Sequence, residues 1–68
     1  MKSLHKAFDI LELVFNQDGQ PITPSAIADE SGLNASTCVR ILEAMARRGY
    51  VEKVSRRSGY VPGPAVFG

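Results

Sequence analysis

Residues 23–49 carry two helical patterns with only Gly32 and Leu33 between the end of one and the cap of the next, and few folds accept so tight a turn. Thr23-Pro24 is a start signal: a capping hydroxyl, then a proline whose missing N–H costs nothing at the first helical position. The helix that follows runs to about Ser31, with Ile27 and Ala28 inward, Asp29 and Glu30 toward water, and Gly32 as its stop. Leu33 is placed to plug the turn. Asn34 caps a longer helix that continues to Arg48 and is stopped by Gly49. In it Cys38, Ile41, Leu42 and Met45 fall at i, i+3, i+4 and i+7, a core face. At about 100° per residue the opposite face carries Ser36, Arg40, Glu43 and Arg47, flanked by Thr37 and Val39. A short helix, a glycine-containing turn and a longer helix make a helix-turn-helix.

The flanks complete an architecture. Before the motif, Ser3 reads as the N-cap of a helix that reaches about Asn16. Leu4, Phe8, Leu11 and Phe15 form one apolar stripe on it, widened by Ala7 and Val14, while Ile10 and Leu13 lie to the side. A helix apolar beyond one stripe has a second surface to bury. Asn16-Gln17-Asp18-Gly19 ends it, and Gln20-Pro21-Ile22 is a short extended piece. After Gly49 the period changes to two. Tyr50–Val54 and Tyr60-Val61 read as strands around the polar turn Ser55-Arg56-Arg57-Ser58-Gly59, a β-hairpin with two arginines at its tip. Pro62 belongs on a sheet edge or past the sheet's end. The fold class is α+β, mainly α: a winged helix-turn-helix of three helices and a C-terminal hairpin. Residues 1–63 carry these elements, and Pro62-Gly63-Pro64 breaks the pattern before an apolar tail that ends at residue 68.

With 68 residues, a lone core covers only about 60% of the surface of the unfolded chain, so outside support is expected. A single cysteine, Cys38, rules out an intrachain disulfide, and with one histidine, His5, it cannot build a four-ligand zinc site. A partner or a second domain remains as the source of support. No apolar run approaches the ~20 residues of a membrane span, and Asp9 and Glu12 interrupt any signal-peptide core. Those features fit a reduced, cytoplasmic setting, where the formal glycosylation triplet Asn34-Ala35-Ser36 has no meaning. The net charge of +1 hides an asymmetry. Residues 1–34 set Lys2 and Lys6 against Asp9, Glu12, Asp18, Asp29 and Glu30, a balance of −3. Residues 35–68 set Arg40, Arg47, Arg48, Lys53, Arg56 and Arg57 against Glu43 and Glu52, a balance of +4. Either the second half meets an anionic partner, or this is ordinary surface charge.

The placement of the polar residues points to double-stranded DNA. In a helix-turn-helix the second helix enters the major groove and its N-terminal residues reach base edges. Ser36 and Thr37 can meet phosphates or bases, and Arg40 can hold guanine O6 and N7 with two bonds. The helix N-terminus adds free amides. Arg56 and Arg57 on the hairpin suit the phosphate backbone or the adjacent minor groove. Bland alternatives stand beside each reading. Ser36 and Thr37 could be local capping groups, Arg40 and Arg47 with Glu43 a solvated ion-paired face, and Arg56-Arg57 a solubility feature. Cys38 reads as core packing and His5 as solvent-facing. No nucleophile, base and orienter can be assembled, so an enzyme is not expected. The competing class is a winged helix that docks a protein, which calls for an apolar patch on the outer face of the third helix.

Over essentially its whole length the chain resembles the N-terminal domain of the IclR family of bacterial transcriptional regulators. The segments that carry the resemblance are Ser3-Leu4-His5-Lys6-Ala7-Phe8-Asp9-Ile10-Leu11, Ile27-Ala28-Asp29-Glu30-Ser31-Gly32-Leu33, Ser36-Thr37-Cys38-Val39-Arg40-Ile41-Leu42, Arg48-Gly49-Tyr50-Val51-Glu52 and Gly59-Tyr60-Val61-Pro62-Gly63-Pro64. The resemblance implies a homodimeric or tetrameric repressor or activator that reads a palindromic operator. It also implies a C-terminal domain, beyond a linker starting near Pro64, that binds a small-molecule effector. It implies that the first helix pairs two DNA-binding heads, which would bury Ile10 and Leu13. Carried over by position, Ser36, Thr37 and Arg40 would touch DNA, supported by Ser25, Arg56 and Arg57. Three residues depart from the family pattern. Cys38 replaces a valine, Pro62 replaces a leucine and should shorten the last strand, and Val39 replaces a larger side chain and would suit a thymine methyl. The full candidate set is Ser25, Ala35, Ser36, Thr37, Val39, Arg40, Arg47, Arg56 and Arg57, with no catalytic, cofactor or metal residue expected.

Overall fold

The computed structural model describes the backbone of residues 2–67 and the side chains of residues 4–66. Three helices, α1 (Lys2–Phe15), α2 (Pro24–Ser31) and α3 (Ala35–Arg47), precede two antiparallel strands, β1 (Val51–Ser55) and β2 (Gly59–Pro62), and a 3-10 turn, η1 (Pro64–Phe67). This is the expected winged helix-turn-helix. The punctuation of α2 acts as read: the Thr23 hydroxyl accepts from the Ala26 amide at 3.2 Å, Pro24 opens the helix, and Gly32 closes it in the left-handed region at φ 76°.

The inward face of α1 differs from the sequence reading. Ile10 and Val14 are the buried residues, 0% and 1% exposed, while Leu4, Phe8 and Phe15 are 53%, 56% and 38% exposed. Both sets are regular helical stripes, set roughly 120° apart around the axis. Periodicity alone cannot say which of two such stripes turns inward. Tertiary packing decides: α1 packs against α2, β2 and α3, and Ile10 and Val14 are the residues it turns to them. Ile10 is thus spent inside the domain, and Leu13 is half-buried against the core. Ile10 is therefore not left to pair two heads as the family resemblance implied, while Leu13 keeps part of its surface exposed in the cleft between α1 and α2. The helix also starts at Lys2, so Ser3 lies inside its first turn and not at its cap; the Ser3 side chain is outside the described residues.

The core joins the three helices and both strands: Ile10 and Val14 of α1, Ile22, Ile27 of α2, Cys38 and Leu42 of α3, Val51 of β1 and Tyr60 of β2. Ile41 and Met45, expected on the same face of α3, pack around it half-buried, as does Leu33 in the turn. Ile22 also forms a bridge with Tyr60, its amide donating to the Tyr60 carbonyl at 3.0 Å and its carbonyl accepting from the Tyr60 amide at 2.8 Å. That short pairing fastens the root of the hairpin to the segment before α2. The strands pair Val51 with Pro62, Glu52 with Val61 and Lys53 with Tyr60, and a bulge between Lys53 and Ser55 leaves Val54 as the extra residue. Pro62 is the last residue of β2 and pairs with Val51. Two backbone bonds tie the segment after β2 to the domain. The Gly63 amide donates to the Tyr50 carbonyl and the Ala65 amide to the Gly49 carbonyl, each at 2.9 Å.

Candidate nucleic-acid interface

The outward face of α3 forms because its inward face is fully used. With Cys38 and Leu42 buried, helical geometry turns Ser36, Arg40, Glu43 and Arg47 to water, and all four are exposed. Asn34 sets the helix entry. Its side-chain oxygen accepts from the Thr37 amide at 2.8 Å and from the Ser36 hydroxyl at 2.9 Å. The Ser36 proton is thereby engaged in the cap, so Ser36 meets a ligand as an acceptor unless that bond opens. Its local capping role is thus visible in the structure. Thr37 is half-buried, while Ala35 is exposed in the first turn, where the leading amides of a helix lack intrahelical partners.

The hairpin lies beside this face and encloses a cleft of about 290 Å³ lined by Pro24, Val39, Glu43, Lys53, Ser55, Arg56, Gly59 and Tyr60. Of the expected residues, the cleft brings together Val39 and Arg56. Arg40 and Arg47 stand on the adjacent outer arc, Arg57 is exposed in the tip turn, and Ser25 is exposed at the start of α2. Lys53 and Tyr60 were missed by the sequence reading. Strand alternation puts Lys53 on the same face as Val51, but its pairing with Tyr60, which brings both to the cleft, comes from the register of the hairpin. Burial, and secondarily the nearby Glu43 carboxylate, push the Tyr60 phenol above its ordinary pKa near 10. Tyr60 therefore stays neutral and forms an uncharged wall between cationic groups.

A larger cleft, about 360 Å³, opens between α1 and α2 and is lined by Asp9, Glu12, Leu13, Asn16, Glu30 and Ser31. Its three carboxylates disfavour a polyanion on that side of the domain. Among the described residues, no group of three or more His, Cys, Asp or Glu side chains could hold a metal ion, and no helix is long and apolar enough to cross a membrane.

Residues 3–55 match the model of the IclR helix-turn-helix domain. The chain belongs to the IclR helix-turn-helix family. The domain is of the DNA-binding kind found in transcriptional regulators, and the family is not an enzyme class. An IclR transcriptional regulator from Alicyclobacillus acidocaldarius superposes at TM-score 0.85 with 27% identity, over 97% of this chain and 26% of that one. An IclR family transcriptional regulator from Brucella abortus shares the fold at TM-score 0.85 with 19% identity, over 98% of this chain and 25% of that one. A structure from a Silicibacter species gives TM-score 0.79 and 31% identity, over 98% of this chain and 25% of that one. The chain thus spans about a quarter of the length of the solved proteins it resembles. No functionally curated protein matches the sequence. In this IclR domain the family match covers all three helices and β1, so the outward face of α3 lies wholly inside the matched region.

Proposed function

We propose that this IclR domain reads double-stranded DNA by sequence, with α3 in the major groove and the hairpin wing on the phosphate backbone or the adjacent minor groove. The observation that supports it is the joint placement of Arg40 and Arg47 on one exposed arc of α3 with Arg56 and Lys53 on the strand-and-turn edge beside it. Arg40, near the helix start, is the residue to read a base, and Val39 is placed to touch a thymine methyl. The amides of Ala35 and Ser36, with Thr37 and Ser25, suit phosphate. Arg56 and Arg57 add cations at the wing. The competing docking-module reading needs exposed apolar residues on α3. The large apolar side chains exposed among the described residues are Leu4, Phe8, Phe15, Tyr50 and Val54, none of them on α3. Binding measured against salt tests the wing. Arg56→Ala with Arg57→Ala should reduce the slope of log affinity against log salt by about 0.9 for each phosphate that is no longer neutralised. An unchanged slope removes the wing from the interface.

The parent protein is proposed to be a cytoplasmic homodimer or tetramer, a repressor or activator with an effector-binding domain after the linker, acting on an inverted-repeat operator. Two α3 helices about 34 Å apart would read the two half-sites. The surface proposed to pair the heads is the exposed α1 stripe of Leu4, Phe8 and Phe15, in place of Ile10 and Leu13. Burying a phenylalanine contributes roughly 1.5–3 kcal/mol. Phe8→Ala with Phe15→Ala should therefore weaken cooperative occupation of two half-sites by at least about tenfold, with half-site affinity unchanged. Undiminished cooperativity in a two-site titration would reject that surface.

A further inference from the structure

We propose that Glu43 determines the specificity of the wing-side half of the interface by accepting a hydrogen bond from a base amino group. The inference deepens the duplex-reading function proposed above and rests on it. Glu43 is exposed on the outward arc of α3, seven residues after Ser36 and four after Val39, so helical geometry puts all three along one edge. That edge is the one the wing borders, since Glu43 and Val39 line the cleft together with Lys53, Arg56 and Tyr60. Arg40 and Arg47 stand three residues before and four after it, one helical turn away on either side. A single carboxylate therefore sits among four cations on the face that meets the polyanion.

Chemistry limits what such a carboxylate can touch. It only accepts hydrogen bonds, and so do phosphate oxygens, guanine O6 and N7, and thymine O4. The groups on the floor of the major groove that donate are cytosine N4 and adenine N6. Glu43 thus repels every neighbour on the duplex except a base pair that turns an amino group toward it. Its position along the helix separates its role from that of Arg40. Three residues at a rise of 1.5 Å put it about 4.5 Å further along the axis, one to two base-pair steps from the pair that Arg40 meets. Val39, on the same edge, adds an apolar contact and no donor. The cost of the carboxylate falls on every duplex, and its compensation comes only from those with an amine at that step. That difference is what makes the residue a discriminator and not an anchor.

The test uses the full-length protein that carries this domain. Selection from random duplexes by the unaltered protein defines the preferred half-site. Glu43→Ala and Glu43→Gln are then titrated, at one salt concentration, against that half-site with each of the four base pairs in turn at every position. The expected result is that Glu43→Ala loses about tenfold of the preference for cytosine or adenine at one position, one or two pairs from the position that Arg40→Ala relaxes. Its binding to random duplex should rise at the same time. Affinity that rises equally for all sequences, with every preference kept, overturns the proposal and reduces Glu43 to a uniform electrostatic brake. Unchanged affinity and preference also overturn it and leave Glu43 a solvated carboxylate on the helix surface. Failure of the unaltered protein to bind any duplex at low salt overturns the duplex-reading function itself, and the assignment of Glu43 with it.

Discussion

Arg40→Ala is expected to lower binding to the preferred duplex about 10- to 100-fold, while binding to random duplex falls only a few-fold. The reason is the form of the guanidinium. Its rigid planar fork matches the two acceptors on the guanine edge, and that match is lost with any other base. Against a phosphate the same fork acts as one more charge, and its removal weakens all duplexes alike. Arg40 has the position to act on bases: it is exposed in the second turn of α3, one turn after Ser36. Titration of the altered protein against preferred and random duplexes, at a common salt concentration, separates the two roles. Equal losses on both would make Arg40 a phosphate contact and remove the main source of sequence reading from this face.

The largest stability effect is expected at Gly59. The residue opens β2 at φ 103°, a conformation that side chains disfavour, and a β-carbon there would overlap the Ile22 carbonyl and lie 2.7 Å from the Thr23 amide. The Ile22 carbonyl is the acceptor of the Tyr60 amide, so any shift that relieves the overlap opens the bridge that holds the hairpin root. Gly59→Ala should cost about 3 kcal/mol or more, since it combines backbone strain, a clash with backbone and a broken buried pairing. In a domain this small that corresponds to a fall in Tm on the order of 15 °C. Gly19 is the matched control. It too has a positive φ, 82°, but a β-carbon there meets nothing within 4 Å. Gly19→Ala should cost only about 1–2 kcal/mol. Thermal melts of the two variants decide the point; similar melting temperatures would mean that the Ile22–Tyr60 contact yields easily.

The helix-turn-helix was legible because its limits rest on local chemistry. Thr23-Pro24, Gly32 and Asn34 each act within a few residues of where they stand, and the hydrogen bonds of Thr23 and Asn34 are the ones their side chains can reach in any context. The orientation of α1 was only partly legible: Val14, read on the flank of the Leu4-Phe8-Leu11-Phe15 stripe, does face the core, but Ile10 joins it there in place of the phenylalanines, and periodicity alone does not choose between the two sides. The cleft was half legible. Val39 and Arg56 could be named from their patterns, but Lys53 and Tyr60 join them only through the register that pairs these two across the hairpin, and a bulge one residue away shifts that register. Ser36 shows a third kind of limit. A serine near a helix start suits a cap and a phosphate equally, and its bond to Asn34 is settled by a rotamer that no spacing rule carries.

The two hydrogen bonds that tie Gly63 to Tyr50 and Ala65 to Gly49 have a mechanical consequence. They clamp the outgoing backbone to the corner where α3 turns into β1, and a β-carbon on Gly63 would collide with the Gly49 carbonyl, so the two strands of backbone touch without a side chain between them. The backbone at Gly63 and Ala65 is therefore tied directly to Tyr50 and Gly49, the residues that follow the end of α3, with no side chain as a spacer.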